Sequence, residues 1–315
     1  MRTKRQEKNV EEAIWRAKAE SYVNQESEFT IPTSKLDQIV TIPLGFQPAG
    51  ISSQQLDDGS AQIAIADYFA PAVCLAKVKR DQAGLHFEVE WIRGVDYQGK
   101  RVRMFPDVLY PGMANRMQTV SFGPDGELWI TRNEGREFFV LQPPAKKVQG
   151  WTLKKIISLP ECKEGLGPLF IQSAYFSSFT EDLIVIESNY VDYSCAYWYQ
   201  VEGGAIIRLR REETLPIFMY GISHPIRDTC FSEIFYYFIT DYRCEARHGI
   251  CRIDQMDVPI VPRICGTGIA FLSDDSALVT RYGQAYPGPF NGKPGALIYV
   301  PHYIPNTLLL LGGIK

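Results

Sequence analysis

An internal repeat is the feature that most constrains this chain. Five short apolar segments share one pattern: Ile63-Ala-Ile-Ala-Asp-Tyr68, Leu128-Trp-Ile-Thr-Arg-Asn133, Leu183-Ile-Val-Ile-Glu-Ser188, Phe238-Ile-Thr-Asp-Tyr242 and Leu278-Val-Thr-Arg-Tyr282. Each runs apolar for a strand's length and then ends in polar or aromatic residues. Four follow a turn signal: Asp57-Asp-Gly-Ser60, Gly123-Pro-Asp-Gly126, Ser178-Phe-Thr-Glu-Asp182 and Ser273-Asp-Asp-Ser276. In the other unit the turn falls at Ser232-Glu-Ile234. A strand opened by glycine precedes each turn, at Gly50, Gly112, Gly167, Gly221 and Gly266. Third strands such as Val73–Val78, Phe138–Leu141 and Ala296–Val300 follow, and then fourth strands such as Phe87–Trp91, Leu153–Ile157 and Ile206–Leu209.

Four antiparallel strands repeated five times predict an all-β chain folded as a five-bladed β-propeller. An open ring would leave sheet edges bare. The last unit lacks a clear fourth strand, and Asp37–Pro43 has the character of one. That segment is expected to cross over and close the ring. The domain reading is a helical extension over 1–34, with a helix at Gln6–Tyr22, followed by one propeller over 35–315.

The run Phe122-Gly-Pro-Asp-Gly-Glu-Leu-Trp-Ile-Thr resembles the NHL and gluconolactonase-type propellers, in which Phe-x-x-Asp-Gly-x-Leu-Trp is common. The resemblance covers one clear blade and implies a fold rather than an activity. The metal-ligand positions of gluconolactonases have no match in the other blades. A second similarity, carried by no matched motif, is to the cyclase of scytonemin biosynthesis. It would imply ring closure of an indole β-keto acid with loss of carbon dioxide.

Composition narrows the partners. With 33 basic and 36 acidic residues among 315, bulk charge gives no reason to expect nucleic-acid binding. No window resembles a secretory signal or a membrane-spanning helix, so no membrane partner and a cytoplasmic location are expected. The 7 cysteines lack paired metal-ligand spacing and are expected to be reduced, Cys244 and Cys251 included. No cofactor is called for. A metal ion gathered between blades is left open.

In a propeller, the ends of the second strands and the entries to the first strands crowd one mouth of the central channel. Those positions carry Asp67, Tyr68, Arg132, Asn133, Glu134, Glu187, Asn189, Asp241, Tyr242, Arg281 and Tyr282, with Asn115, Arg116, Gln172, His224 and Arg227 entering. Hairpin register puts Arg116 beside Asn133 and Gln172 near Glu187. It also puts His224 and Pro225 opposite Tyr242 and Asp241.

His224, Asp241, Glu134 and Glu187 are the candidate acid–base groups. A histidine oriented by a carboxylate can move protons near neutral pH. Arg116, Arg132, Arg227 and Arg281 could seat an anion by paired hydrogen bonds. Asp67, Asn115, Asn133, Asn189 and Gln172, with Tyr68, Tyr242 and Tyr282, would complete the substrate site. The loop 283–295 would cover it, and the connection 95–111 would add Tyr97, Phe105 and Tyr110.

The expected function is cofactor-independent acid–base catalysis on a small carboxylated, aromatic substrate, of cyclase–decarboxylase or lyase type. A non-catalytic binding propeller is the first alternative. The second is a glycoside hydrolase using Asp67, Glu187 and Asp241 across the channel.

Overall fold

Each repeat forms a sheet in the computed structural model. The structure describes residues 28–68, 71–102, 104–105, 116–133, 135–145, 150–159, 169–177, 180–188, 194–215, 219–223, 237–240, 249–252, 259–262, 264, 266–273, 276–281 and 295–301. Two strands lead in, β1 (Glu28–Pro32) and β2 (Val40–Pro43). Sheet 1 is β3 (Pro48–Gln55), β4 (Ala61–Asp67), β5 (Ala72–Arg80) and β6 (Gly84–Ile92). A hairpin, β7 (Val95–Tyr97) and β8 (Lys100–Val102), precedes sheet 2, which is β9 (Met117–Phe122), β10 (Leu128–Arg132), β11 (Glu137–Gln142) and β12 (Thr152–Ser158). Sheet 3 is β13 (Phe170–Phe176), β14 (Asp182–Ser188), β15 (Ser194–Glu202) and β16 (Ala205–Leu215). Sheet 4 is β17 (Met219–Ser223), β18 (Tyr237–Thr240), β19 (Gly249–Arg252) and β20 (Val261–Pro262), and sheet 5 has β21 (Gly268–Ser273), β22 (Ser276–Arg281) and β23 (Ala296–Pro301).

The fold is all-β and propeller-like. Every sheet is a meander whose first strand is innermost, and β2 pairs antiparallel with β23 as the outer strand of sheet 5. The segment expected to cross over therefore does so. Among the described residues the one helical turn is a 3-10 turn at Thr33–Lys35. The expected helix at Gln6–Tyr22 lies outside the described residues.

Burial explains why the second strands read as nearly unbroken apolar runs. Successive side chains alternate between the two faces of a strand, and here both faces are covered. Along β4, Ile63 and Ile65 join a cluster with Leu278 and Leu297 of sheet 5, whereas Ala64 and Ala66 join one with Val120 and Ile130 of sheet 2. Along β10, Leu128 and Ile130 face sheet 1 and Trp129 faces sheet 3. Along β14, Leu183 and Val185 face sheet 2 while Ile184 and Ile186 pack with Met219 and Ile222 of sheet 4. A further cluster joins Ile250 of sheet 4 to Ile269 and Val279 of sheet 5.

The recurrent glycines have a steric cause. The innermost strands approach so closely that a Cβ on Gly50 would lie 2.7 Å from the Thr119 Cα. One on Gly221 would lie 2.7 Å from the Gly268 Cα, and one on Gly268 2.9 Å from the Ile51 N. Gly50 and Gly221 thus lie within their strands rather than before them, and Gly268 takes the role expected of Gly266. Gly112 and Gly167 lie outside the described residues.

Two expectations change at the outer edges. Residues 28–32, read as part of a helical extension, form a strand paired with β6. The connection beginning at Val95 opens with the β7–β8 hairpin, which joins sheet 2 outside β12, with Thr152 beside Asp96, and its residues 106–111 lie outside the described residues. Phe105 is fully buried and meets the Phe139 ring edge-on at 4.8 Å, so it serves the core. Tyr110 lies outside the described residues.

Candidate functional site

The entries of the inner strands and the ends of the second strands do meet at one end of the sheets. Pro48 is opposite Asp67, Met117 opposite Arg132, Ile171 opposite Glu187, Met219 opposite Thr240 and Gly268 opposite Thr280. Hydrogen bonds tie adjacent sheets there. The Met117 N–H donates to the Tyr68 carbonyl at 3.3 Å, and the Ile171 N–H to that of Gly135 at 3.4 Å. The Met219 N–H donates to the Ser194 hydroxyl at 3.0 Å, and the Thr267 hydroxyl to the Ala49 carbonyl at 3.1 Å.

A bulge recurs at this end. Gln118 in β9, Gln172 in β13 and Tyr220 in β17 are extra residues with no partner across the hairpin, and β3 is irregular between Pro48 and Ile51. Such bulges re-aim a side chain without disturbing the rest of the strand. At two of them the result is direct: the Gln118 amide donates from Nε2 to the Gln172 Oε1 at 3.1 Å, bridging sheets 2 and 3. Both glutamines are buried.

The expected pairing of Arg116 with Asn133 is present, the Asn133 N–H donating to the Arg116 carbonyl at 2.8 Å. The Arg116 guanidinium lies 5.4 Å from the centre of the Tyr68 ring and reaches its hydroxyl at 3.4 Å. Arg116 is half-buried, while Tyr68 and the neighbouring Asp67 are buried. Arg132 is buried, with Nη2 3.6 Å from Glu137 Oε2. Arg281 ends β22 half-buried, and that burial lowers its guanidinium pKa from the ordinary value.

Glu187 is fully buried and held by Arg136, with Nε to Oε1 at 2.9 Å and Nη2 to Oε2 at 3.1 Å. This bidentate pair joins sheet 2 to sheet 3 and engages both carboxylate oxygens. Arg136 escaped the sequence reading because it follows the second strand rather than ending it. A carboxylate on a strand buried on both faces requires a cation, and that was the available signal.

The register of sheet 4 differs from the one expected. Ser223 is opposite Tyr237 and Met219 opposite Thr240. The segment between the strands has no Asp-Gly or Asn-Gly turn to fix its register. His224, Asp241, Glu134, Arg227, Asn115, Asn189, Tyr242 and Tyr282 themselves lie outside the described residues, as does loop 283–294.

Other chemistries find little at this end. Cys74, Cys195 and Cys251 are buried, and burial pushes the Cys251 thiol up to about 11. Among the described residues, no three His, Cys, Asp or Glu side chains are grouped as metal ligands would be. No helix among them is long and apolar enough to cross a membrane.

No family model matches the chain, and no curated protein matches it in sequence. Among solved structures it is similar to virginiamycin B lyase from Staphylococcus aureus, at 15% identity over 77% of this chain and 67% of that one, TM-score 0.37. A luciferin-regenerating enzyme matches at 10% identity over 83% and 94% of the two chains, TM-score 0.41. YCF48 from Cyanidioschyzon merolae matches at 11% identity over 86% and 70%, TM-score 0.39. The similarity to a scytonemin cyclase finds no support among these structures. Likenesses of this size transfer no activity, and the propeller-like fold rests on the chain's own strand order.

Proposed function

We propose that the five sheets close into a five-bladed propeller, and that the end carrying Arg116 binds a small carboxylated aromatic molecule on which the chain acts as an acid–base enzyme. Closure is supported by the apolar clusters, which join sheets 1 and 2, 2 and 3, 3 and 4, 4 and 5, and 5 and 1. An open stack of five sheets would share four.

The observation that carries the binding role is the half-buried Arg116 guanidinium laid over Tyr68. Such a group presents a charge for a carboxylate beside an aromatic surface for a ring, at an end where inner strands converge. Arg281 is a second guanidinium at the same end. Asp67, buried beside Tyr68 at the end of β4, is the described carboxylate best placed to exchange a proton with the ligand. Decarboxylation and lyase chemistry both fit an anion clamp with one neighbouring acid–base group.

The Glu187–Arg136 bridge weighs against glycoside hydrolysis, because that carboxylate is already engaged. The same bridge favours binding without turnover as the second reading.

Calorimetry with phenylpyruvate, 3-phenylpropionate and the uncharged toluene separates the possibilities. Arg116→Ala should weaken binding of the two acids at least ten-fold. Asp67→Asn should leave binding intact and abolish any turnover of phenylpyruvate. If Asp67→Asn turns over at the wild-type rate, the acid–base assignment is wrong. If neither acid binds the wild type, the binding role falls.

A further inference from the structure

Gln172 carries an unmet hydrogen-bonding demand. Its side chain is fully buried, its Oε1 accepts from Gln118, and its Nε2 has no hydrogen-bond partner among the described residues. Exchanging the oxygen and nitrogen of both amides does not remove the problem. Two amides that share one hydrogen bond always leave one NH2 group with donors to spare. Buried donors in native proteins are almost always satisfied, so an unfilled one marks a place for an acceptor.

The location is specific. Gln118 and Gln172 both stand at bulges, at the same level of adjacent innermost strands. Arg116 precedes Gln118 by two residues, roughly 6–7 Å along the strand. A guanidinium reaches across that interval easily, so one ligand can touch both groups.

We infer that the Gln118–Gln172 amide pair is a specificity subsite that donates a hydrogen bond to a carbonyl oxygen adjacent to the ligand's carboxylate. The ligand class is thereby narrowed from carboxylated aromatics to aryl oxo acids. This rests on the binding role proposed above for Arg116. A neutral amide suits a ketone oxygen, and the neighbouring guanidinium takes the charge. A site that leaves a buried donor unpaired discriminates against the analogue lacking the acceptor. The same N–H would favour enolate character on that oxygen when a proton leaves the carbon on its other side.

The test compares phenylpyruvate with 3-phenylpropionate, which differ by the ketone oxygen. Wild-type protein should prefer phenylpyruvate by on the order of ten-fold. Gln172→Met, nearly equal in volume and unable to donate, should abolish the preference between the two acids. Gln118→Met, which frees the pair, should also reduce it. Should Gln172→Met unfold, Gln172→Glu keeps the shape and the Gln118 contact and should reject phenylpyruvate.

Absence of a wild-type preference between two acids that both bind would overturn the subsite and leave the Arg116 role standing. So would a preference that survives Gln172→Met. A raised melting temperature in Gln172→Met with the preference intact would assign the donor to a buried water. Failure of both acids to bind the wild type removes the Arg116 role and this subsite together.

Discussion

The innermost strands of neighbouring sheets meet in two different ways. Where β21 meets β3 and β3 meets β9, the backbones nearly touch: Gly268 and Gly50 have no room for a Cβ, and the Thr267 and Thr280 hydroxyls donate to main-chain carbonyls of Pro48 and Ala49. Where β9 meets β13, long side chains span the joint instead, Gln118 to Gln172 and Arg136 to Glu187. At the first kind of joint backbone packs on backbone, and at the second side chains bridge the sheets. A repeated unit can therefore join its neighbours through the main chain at one place and through side chains at another.

The difference is open to attack at each joint. The largest effect is expected from Arg136→Met, which leaves the Glu187 carboxylate buried without its guanidinium. Urea unfolding should show a loss of about 3–4 kcal/mol, and adding Glu187→Met should restore most of it. A single variant as stable as wild type would mean that the bridge is not what joins sheets 2 and 3.

Gly50→Ala comes next, because its methyl group would press on the Thr119 backbone. It should cost about 2 kcal/mol, whereas Gln118→Met at the spanned joint should cost less than about 1 kcal/mol. Equal costs would erase the distinction between the joints. Thr280→Val keeps its shape but gives up the hydroxyl's bond to Ala49. A loss of about 1 kcal/mol is expected, with ligand binding unchanged.

The smallest effect belongs to the outer edge. The Asp81 carboxylate accepts from His86 Nε2 at 2.9 Å, and His86 Nδ1 lies 3.2 Å from the Thr30 hydroxyl on β1. This partner, with the backbone N–H groups of Ala83 and Gly84, holds the Asp81 pKa below the ordinary carboxylate value. A depressed folded pKa contributes stability that is present above the unfolded value and is lost as pH falls through the folded one. Amide exchange in β1 should therefore quicken below the usual carboxylate range. Asp81→Asn should flatten that dependence without affecting the mouth.

What the sequence disclosed follows from how local each determinant is. The Gly123-Pro-Asp-Gly126 turn fixes its own hairpin, the Gly126 N–H donating to the Gly123 carbonyl at 3.1 Å, and Arg116 fell beside Asn133 as expected. Sheet 4 has no such turn, and the register assumed there was displaced. The β2–β23 pairing could be anticipated because an incomplete last repeat and a spare first strand imply each other. Partners such as Gln118 with Gln172, or Arg136 with Glu187, lie more than 50 residues apart and on different sheets. Their meeting depends on bulges and on the spacing of neighbouring sheets, which no local pattern encodes. The strands β1 and β7–β8 were missed for a related reason: they are short edge additions outside the repeat.

A crystal structure of the complex with phenylpyruvate tests the proposed site most directly. The carboxylate is expected on the Arg116 guanidinium, with the ketone oxygen within hydrogen-bond distance of the Gln118–Gln172 amides. Density for the ligand beside Gly50 and Gly268, or on an outer face of the sheets, would contradict it.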